Sequence, residues 1–313
     1  MVHVVIAGGA GNVGREIVEE LIQQGKHKIT VFSRTDRPDL VKEGIDVKVV
    51  NYANKAELTE ALEGVNTVLS FITADPENTA QTNLINASIA AGVRRFAPSE
   101  WALASKSGIP HYAYKDVVHE YLKQVKVANP DFEFCLFQPN FFQNYLSYPH
   151  KSAKHMFITS IMLDIQQKKA LQLDDGAQWT VITSVEDVAK VVALAIDYPG
   201  KWPETGGIVG TRIQVKDLIS LAQKVRGEPF TVYTVKKDAI DEGIQNSEWL
   251  PPADHPSMTP EMQANLAKML YPDILRALDR GAMDVPPTWN ELLPDFKFTD
   301  LEGFLNEYFG PKA

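Results

Sequence analysis

Cysteine is almost missing: the 313 residues contain one, Cys135. No disulfide can therefore form within the chain, which fits a reducing compartment and leaves the fold to rest on buried apolar surface. Its setting, Phe132-Glu133-Phe134-Cys135-Leu136-Phe137, reads as an inert buried strand. A reactive thiol wants electropositive, partly exposed surroundings. Basic residues are in deficit, 31 against 40 acidic, and form no long run. A net charge of -9 argues against general nucleic-acid binding, which needs a basic surface to neutralise phosphates. No apolar run reaches the roughly 20 residues that span a bilayer. The first residues show a strand pattern and no basic leader or small-residue cleavage site, so no membrane is expected and the cytoplasm is the expected compartment. Metal-ligand patterns are also lacking. His150 and His155, with Asp164 nearby, are spaced off a single helical face, and there is no HExxH or Cys/His cluster, so no metal is expected.

Against these absences stands a regular alternation. Val2 to Ala7, Lys28 to Ser33, Asp46 to Val50, Thr67 to Ile72, Arg94 to Pro98 and Glu133 to Phe137 read as six strands. Helical periodicity over Val13 to Gln24, Lys55 to Leu62, Asn78 to Ala91 and Tyr112 to Val127 separates them, with Gly25, Gly64 and Gly92 as stop signals. Such βαβ repetition predicts an α/β fold: a Rossmann-type doubly wound parallel sheet with a smaller, mostly helical C-terminal substrate lobe. The expected division is a dinucleotide-binding domain over 1–140, which also receives about 177–198 and 207–235, and a lobe made of 141–176 and 236–313. Ser184 reads as a helix cap, and Thr299-Asp300-Leu301-Glu302 as a capping box for the last helix.

Gly8, Gly11 and Gly14 stand three apart between the first strand and the first helix, in Gly8-Gly9-Ala10-Gly11-Asn12-Val13-Gly14. A tight turn, close approach of backbone to a pyrophosphate and close helix–strand packing each exclude a Cβ there. The helix N-terminus that follows offers N–H groups and positive dipole to phosphates. NAD-specific sites place an acid at the end of the second strand to bind ribose. Here Ser33-Arg34 occupies that place, with Arg37 nearby, and a guanidinium suits a 2′-phosphate. NADP(H) is the expected cofactor.

In doubly wound sheets, reacting groups gather at the carboxyl ends of strands. The fifth strand runs out through Ser99-Glu100-Trp101, and the next helix carries His111-Tyr112-Ala113-Tyr114-Lys115. Lys115 is the catalytic candidate, as an ammonium able to orient hydroxyls or pass a proton at lowered pKa; His111 and Tyr114 are supporting candidates. The aromatic run from Phe141 through Phe142 and Tyr145, together with Ser99, Trp101 and Tyr114, is the candidate substrate pocket.

The glycine loop, Ser33-Arg34, Asn51-Tyr52, the Phe96 to Trp101 segment, Lys115, Pro139-Asn140-Phe141-Phe142 and Trp179-Thr180 followed by Glu186-Asp187-Val188 together resemble the NmrA-like and isoflavone-reductase-like branch of the atypical short-chain dehydrogenases. The resemblance runs over nearly the whole chain and weakens after about Lys236. It implies a reductase in which Lys115 contacts the nicotinamide ribose and donates or relays a proton. It also implies that Asn51 lies beside the adenine, that Phe71, Ile72 and Thr73 line the cofactor, and that Pro139 and Phe142 border the nicotinamide and substrate. Ordinary short-chain dehydrogenases have a Tyr four residues before the Lys; this chain has His111.

The expected activity is NADPH-dependent reduction of a small, aromatic or conjugated carbonyl or alkene, of a kind met in secondary metabolism, by a monomer or homodimer. Two alternatives stay open. One is a nucleotide-sensing regulator that binds a protein partner without turnover, and the other is a non-redox isomerase, dehydratase or cyclase on the same fold.

Overall fold

The computed structural model describes residues 1–72, 77–252 and 259–311. In chain order the elements are β1 (His3–Ala7), α1 (Asn12–Gln24), β2 (Lys28–Ser33), α2 (Pro38–Lys42), β3 (Asp46–Val49), α3 (Lys55–Ala61), β4 (Thr67–Ser70), α4 (Thr79–Ala90), β5 (Arg95–Ala97) and α5 (Ala113–Ala128). Then come β6 (Glu133–Phe134), β7 (Leu136–Gln138), β8 (Phe141–Phe142), β9 (Leu163–Asp164), β10 (Lys169–Leu173), β11 (Trp179–Thr183), α6 (Val185–Asp197), β12 (Thr205–Gly207), β13 (Thr211–Gln214), α7 (Val215–Arg226) and β14 (Thr231–Val235). The helices α8 (Ile240–Gln245), α9 (Pro260–Asp279), α10 (Thr288–Leu292) and α11 (Leu301–Phe309) close the order. Contacts divide the chain into two units: 1–101, 113–138 and 188–207 form one, and 102–112, 139–187 and 208–313 the other.

Unit 1 carries a six-stranded parallel sheet in the order β3-β2-β1-β4-β5-β6. That is the Rossmann order, with its switch between β1 and β4. Helices cover such a sheet on both faces, so its strands read as continuous apolar runs. Val4, Val5, Ile6 and Ala7 of β1 are each fully buried. Gly25, Gly64 and Gly92 all take positive φ, as their places after α1, α3 and α4 require. The expected strand over Glu133 to Phe137 is broken at Cys135. β6 pairs with β5 and β7 pairs with β12, although the Cys135 N–H still donates to the Phe96 carbonyl at 3.0 Å.

Arg95, 4% exposed, locks the far end of α6 within this unit. Its Nε donates to Glu133 at 3.0 Å, and its two Nη groups donate to the carbonyls of Ala195, Ile196, Tyr198 and Gly200. A cation thus satisfies the orphan carbonyls of a helix C-terminus, and the guanidinium also lies 5.3 Å over the Trp202 ring. Burial alone would raise the Glu133 carboxyl pKa; the Trp202 N–H, Arg95 and Arg94 more than offset it, so the net shift is downward.

Unit 2 is built from short strands: β14-β10-β9 in one sheet and β13-β11-β8 in another, over a core that takes in α7, α9 and α11. This corrects the expected division. Residues 177–187 and 208–235 belong to unit 2, because β11 pairs with β8 and β13, and β14 pairs with β10, none of them with the six-stranded sheet. A β-branched run marks a strand without naming its partner. Ser184 accepts from the Asp187 N–H at 3.1 Å, as expected of a cap. The last helix is capped one residue later than expected: Asp300 accepts from Gly303 N at 2.6 Å, while the Thr299 N–H is drawn to Asp187 at 2.7 Å.

Candidate functional site

In unit 1 the glycine loop shows which absence of a side chain serves the fold. Gly8 has φ +79°, and a Cβ on it would lie 2.9 Å from the Phe71 carbonyl oxygen. A Cβ on Gly14 would sit 3.0 Å from the Phe71 ring and 3.1 Å from the Gly8 oxygen. Gly9 is equally tight, at 2.7 Å from Ile6. Gly11 differs, since a Cβ there would meet nothing within 4 Å. It is the N-cap of α1, no side chain caps that helix, and the first turn holds no acid. Asn12 follows with φ +42°, and Asn12 is exposed while Val13 is half-buried. Open space before an uncapped, acid-free helix N-terminus is the geometry that receives phosphate.

At the end of β2, Arg34 is exposed, and no acid among the described residues pairs with it. Arg37 is spoken for: it forms a two-pronged pair with Asp39 at 3.0 and 2.6 Å, which holds the Asp39 carboxyl down at about 2. The Arg34 charge acts on the buried Tyr52 phenol, whose pKa burial pushes up. Ser33 Oγ accepts from the Thr35 N–H at 3.3 Å. Asn51 closes an Asx turn onto Ala53 N at 3.0 Å. These residues fit an NADP(H)-type group: a cradle for pyrophosphate and a guanidinium free of acids for a 2′-phosphate.

Lys115 owes its burial to its position on α5. Lys115, Val118, Leu122 and Val125 are the buried residues of that helix, an i, i+3, i+7 stripe facing the sheet. Lysine takes the first place on an otherwise apolar face. Its Nζ donates to the carbonyl of Ser99 at 3.1 Å and to that of Glu100, and it lies 5.7 Å from the centre of the Tyr114 ring. Burial pushes its pKa down to about 8, and the Glu100 carboxylate opposes that shift. Glu100 is itself buried, and Gln138 donates to it at 3.5 Å. An ammonium with a pKa near neutrality can give up and regain a proton.

Trp101 is 9% exposed. Its ring stacks on Phe71 at 4.3 Å and on Phe137 at 5.3 Å, and its Nε1 donates to the Ser70 carbonyl at 2.7 Å. Gln81 accepts from Ser70 Oγ at 2.9 Å and from Ser99 N at 3.4 Å, tying the ends of β4 and β5 together. Ile72 N donates to Ser70 Oγ at 3.4 Å. Thr73 lies outside the described residues.

Unit 2 contains a small apolar cavity of about 20 Å³, lined by Phe141, Phe142, Tyr145, Leu146, Ile161, Met162, Leu163, Thr180, Ile182, Val215 and Leu218. That volume holds about one water molecule. Its polar atoms are few. Thr180 Oγ1 is already an acceptor for Asn140 at 3.1 Å, and burial, with the Tyr112 phenol nearby, pushes the Tyr145 hydroxyl up and keeps it protonated. Phe142 meets Tyr145 edge to face at 5.7 Å. His150 packs against the rings of Tyr308 and Phe309, and Asp164 accepts from Gln167. Among the described residues no group of three or more His, Cys, Asp or Glu side chains could hold a metal ion, and no helix is long and apolar enough to cross a membrane.

The model of the NmrA-like family matches residues 2–305. The chain belongs to the NmrA-like family. Among curated relatives of this member, oxidoreductase swnN of Metarhizium robertsii is 26% identical over 97% of the chain and 96% of its own length. Oxidoreductase BOA1 of Botryotinia fuckeliana is 30% identical over 73% of the chain and 77% of its own. Among solved structures, the NADPH complex of the NADPH-dependent quinone oxidoreductase QOR2 from Escherichia coli superposes with a TM-score of 0.69. It is 19% identical, with 98% of this chain and 100% of that one covered, a likeness of fold.

The structure sorts the residues read from this family member's sequence into two sets. Gly8, Gly11, Asn12, Val13, Gly14, Ser33, Arg34, Asn51, Phe71, Ile72, Ser99, Trp101, Tyr114 and Lys115 lie in unit 1, whereas His111, Pro139, Phe141, Phe142 and Tyr145 lie in unit 2. His111 does not ride on the helix with Lys115, as the helical reading expected. Pro110–Tyr112 form a 3₁₀ turn before α5 starts at Ala113, because the proline favours a tight first turn. His111 is exposed, with its ring edge-on to Tyr112 at 4.6 Å. Gln81 escaped sequence reading altogether, and Glu100 was read as part of the strand end without a role for its carboxylate. Glu100 had a faint signal, an acid directly after an apolar strand that ends where a buried lysine is held.

Proposed function

We propose that this NmrA-like protein is an NADPH-dependent reductase of a small, flat, largely apolar carbonyl compound or conjugated alkene. The observation that carries the reading is Lys115: an amine buried on the apolar face of α5, its pKa pushed down to about 8, on a helix packed against the sheet whose first strand leads into the open glycine cradle. The oxidoreductase names of swnN and BOA1 and the NADPH-dependent quinone oxidoreductase title of the Escherichia coli structure support it.

The bound cofactor supplies a hydride to the substrate. The protein does the rest. Gly11 and the first turn of α1 take the pyrophosphate, and Arg34 takes the 2′-phosphate. Lys115, protonated below pH about 8, gives its proton to the substrate atom that becomes electron-rich and recovers one from water. A carbonyl thereby becomes an alcohol, with hydride and proton both accounted for. The apolar lining in unit 2 favours a substrate with little charge. A cavity of about 20 Å³ is too small for an aromatic ring as it stands.

The test is titration of the full chain with NADPH and NADH, followed by a panel of quinones, enones and aromatic aldehydes with nicotinamide absorbance as readout. NADPH should bind at least tenfold tighter than NADH, and at least one compound should drive its oxidation. Tight NADPH binding with no oxidation across the panel would overturn the reductase reading and favour the sensor.

A further inference from the structure

Trp101 has a backbone φ of +38°, in a region that L residues rarely adopt and that persists only where surroundings impose it. The imposing contacts are on the ring. Phe71 stacks on one side at 4.3 Å with an interplanar angle of 14°, Phe137 lies parallel at 5.3 Å with 1°, and Nε1 is tied to the Ser70 carbonyl at 2.7 Å. With the ring fixed, φ of Trp101 sets the plane of the Glu100–Trp101 peptide and hence the direction of the Glu100 carbonyl. Two residues back, Gln81 Oε1 pins the Ser99 N–H at 3.4 Å, and the Glu100 N–H closes onto the Pro98 carbonyl at 2.8 Å. The turn is thus held at both ends. Its two carbonyls, of Ser99 and Glu100, are the ones that accept from Lys115 Nζ.

We propose that Trp101 is a positioning residue for Lys115: its clamped ring holds the turn whose Ser99 and Glu100 carbonyls fix the lysine ammonium. Phe71, the outer plate of the stack, is also the residue that Gly8 and Gly14 pack against. The chain of contact therefore runs from the phosphate cradle through two stacked rings to the amine, all within unit 1. Stacked aromatic pairs hold each other in a preferred geometry beyond what burial of their area alone would do, which favours one conformation of the short turn that Trp101 ends. The consequence for turnover rests on the reading of Lys115 as proton donor; the positioning does not.

The experiment follows Lys115 directly. Full-length protein labelled with carbon-13 at lysine Cε is titrated by NMR, and the Lys115 signal is identified by its loss in Lys115→Met. Burial is the largest cause of the depressed pKa, so Trp101→Leu, which lets water reach the amine, should raise the Lys115 midpoint by about one pH unit or more. Among the described residues, the Glu100 carboxylate and the Tyr114 ring also face the amine. Trp101→Phe, which keeps the stack, should stay within about 0.3 unit. A Lys115 midpoint in Trp101→Leu equal to the wild type would overturn the proposal. Should Trp101→Leu not fold, Gln81→Ala releases the other end of the turn and must move the midpoint in the same direction; no movement there overturns the proposal equally. With a substrate in hand, Trp101→Leu should lower kcat at pH 7 about 10- to 100-fold while NADPH Kd changes less than about threefold. A shifted Lys115 midpoint with an unchanged kcat–pH profile would uphold the positioning and remove Lys115 from the proton transfer.

Discussion

The two units differ in what holds their open space. Unit 1 is preformed: three glycines of the loop are filled by neighbouring atoms, the fourth faces open space, and the lysine is fixed by two carbonyls. In unit 2 the apolar cavity beside Phe141 and Tyr145 is scarcely larger than a water molecule. The contrast teaches that rigid backbone can keep a space open where any Cβ would close it, whereas side chains tend to fill one. Side chains, unlike backbone, can rearrange and can be exchanged without disturbing a parallel sheet. On the proposed function, changes at Gly11, Arg34 and Lys115 of unit 1 should act on cofactor binding and chemistry.

The largest effect should come from Lys115→Ala. Loss of a positioned general acid lowers kcat by about 10²–10⁴, with NADPH affinity, read by fluorescence titration, little changed. Comparable in energy, Arg95→Met should destabilise the fold by about 3–5 kcal/mol, since it strips the carbonyls that end α6 and leaves Glu133 buried beside one remaining arginine. Denaturant unfolding checks it. A loss below about 1 kcal/mol would show that the Arg95 network is ornamental.

Arg34→Ala should weaken NADPH by about 10- to 100-fold and NADH hardly at all. Equal losses for the two cofactors would refute the 2′-phosphate role. Lys115 also leaves a mark on stability. Its folded pKa lies below that of an ordinary lysine, so between pH about 8 and about 10.5 the unfolded chain binds the extra proton. Wild-type stability should gain across that window relative to Lys115→Met, and below pH 8 the difference between the two should be flat.

What could be read from the sequence follows the same division. Most strands and helices of unit 1 were legible because βαβ units are local: each strand, its turn glycine and its helix lie within about 30 residues; the short α2 was not, and the strand over Glu133 to Phe137 is two strands with different partners. In unit 2 the strand over Trp179 to Thr183 was legible as a strand, but its partners Phe141–Phe142 and Thr211–Gln214 are short and distant, and no pattern within it names them. The Trp101 turn was invisible for another reason. Its positive φ is imposed by Phe71 and Phe137, about 30 residues away on either side, so no propensity of Trp itself announces it. The family membership was legible because it is carried by several separated motifs together, none decisive alone.

Gly11 separates two properties that most positions in a protein mix. A methyl group there would touch no protein atom, and the residue's φ of -136° suits any amino acid. Gly11→Ala should therefore alter the melting temperature little, at less than about 1 kcal/mol for the changed N-cap, yet obstruct the pyrophosphate. At this one carbon, what a substitution costs is decided by the guest and not by the host, so a thermal screen for damaging variants would pass over it and only a binding assay would see it.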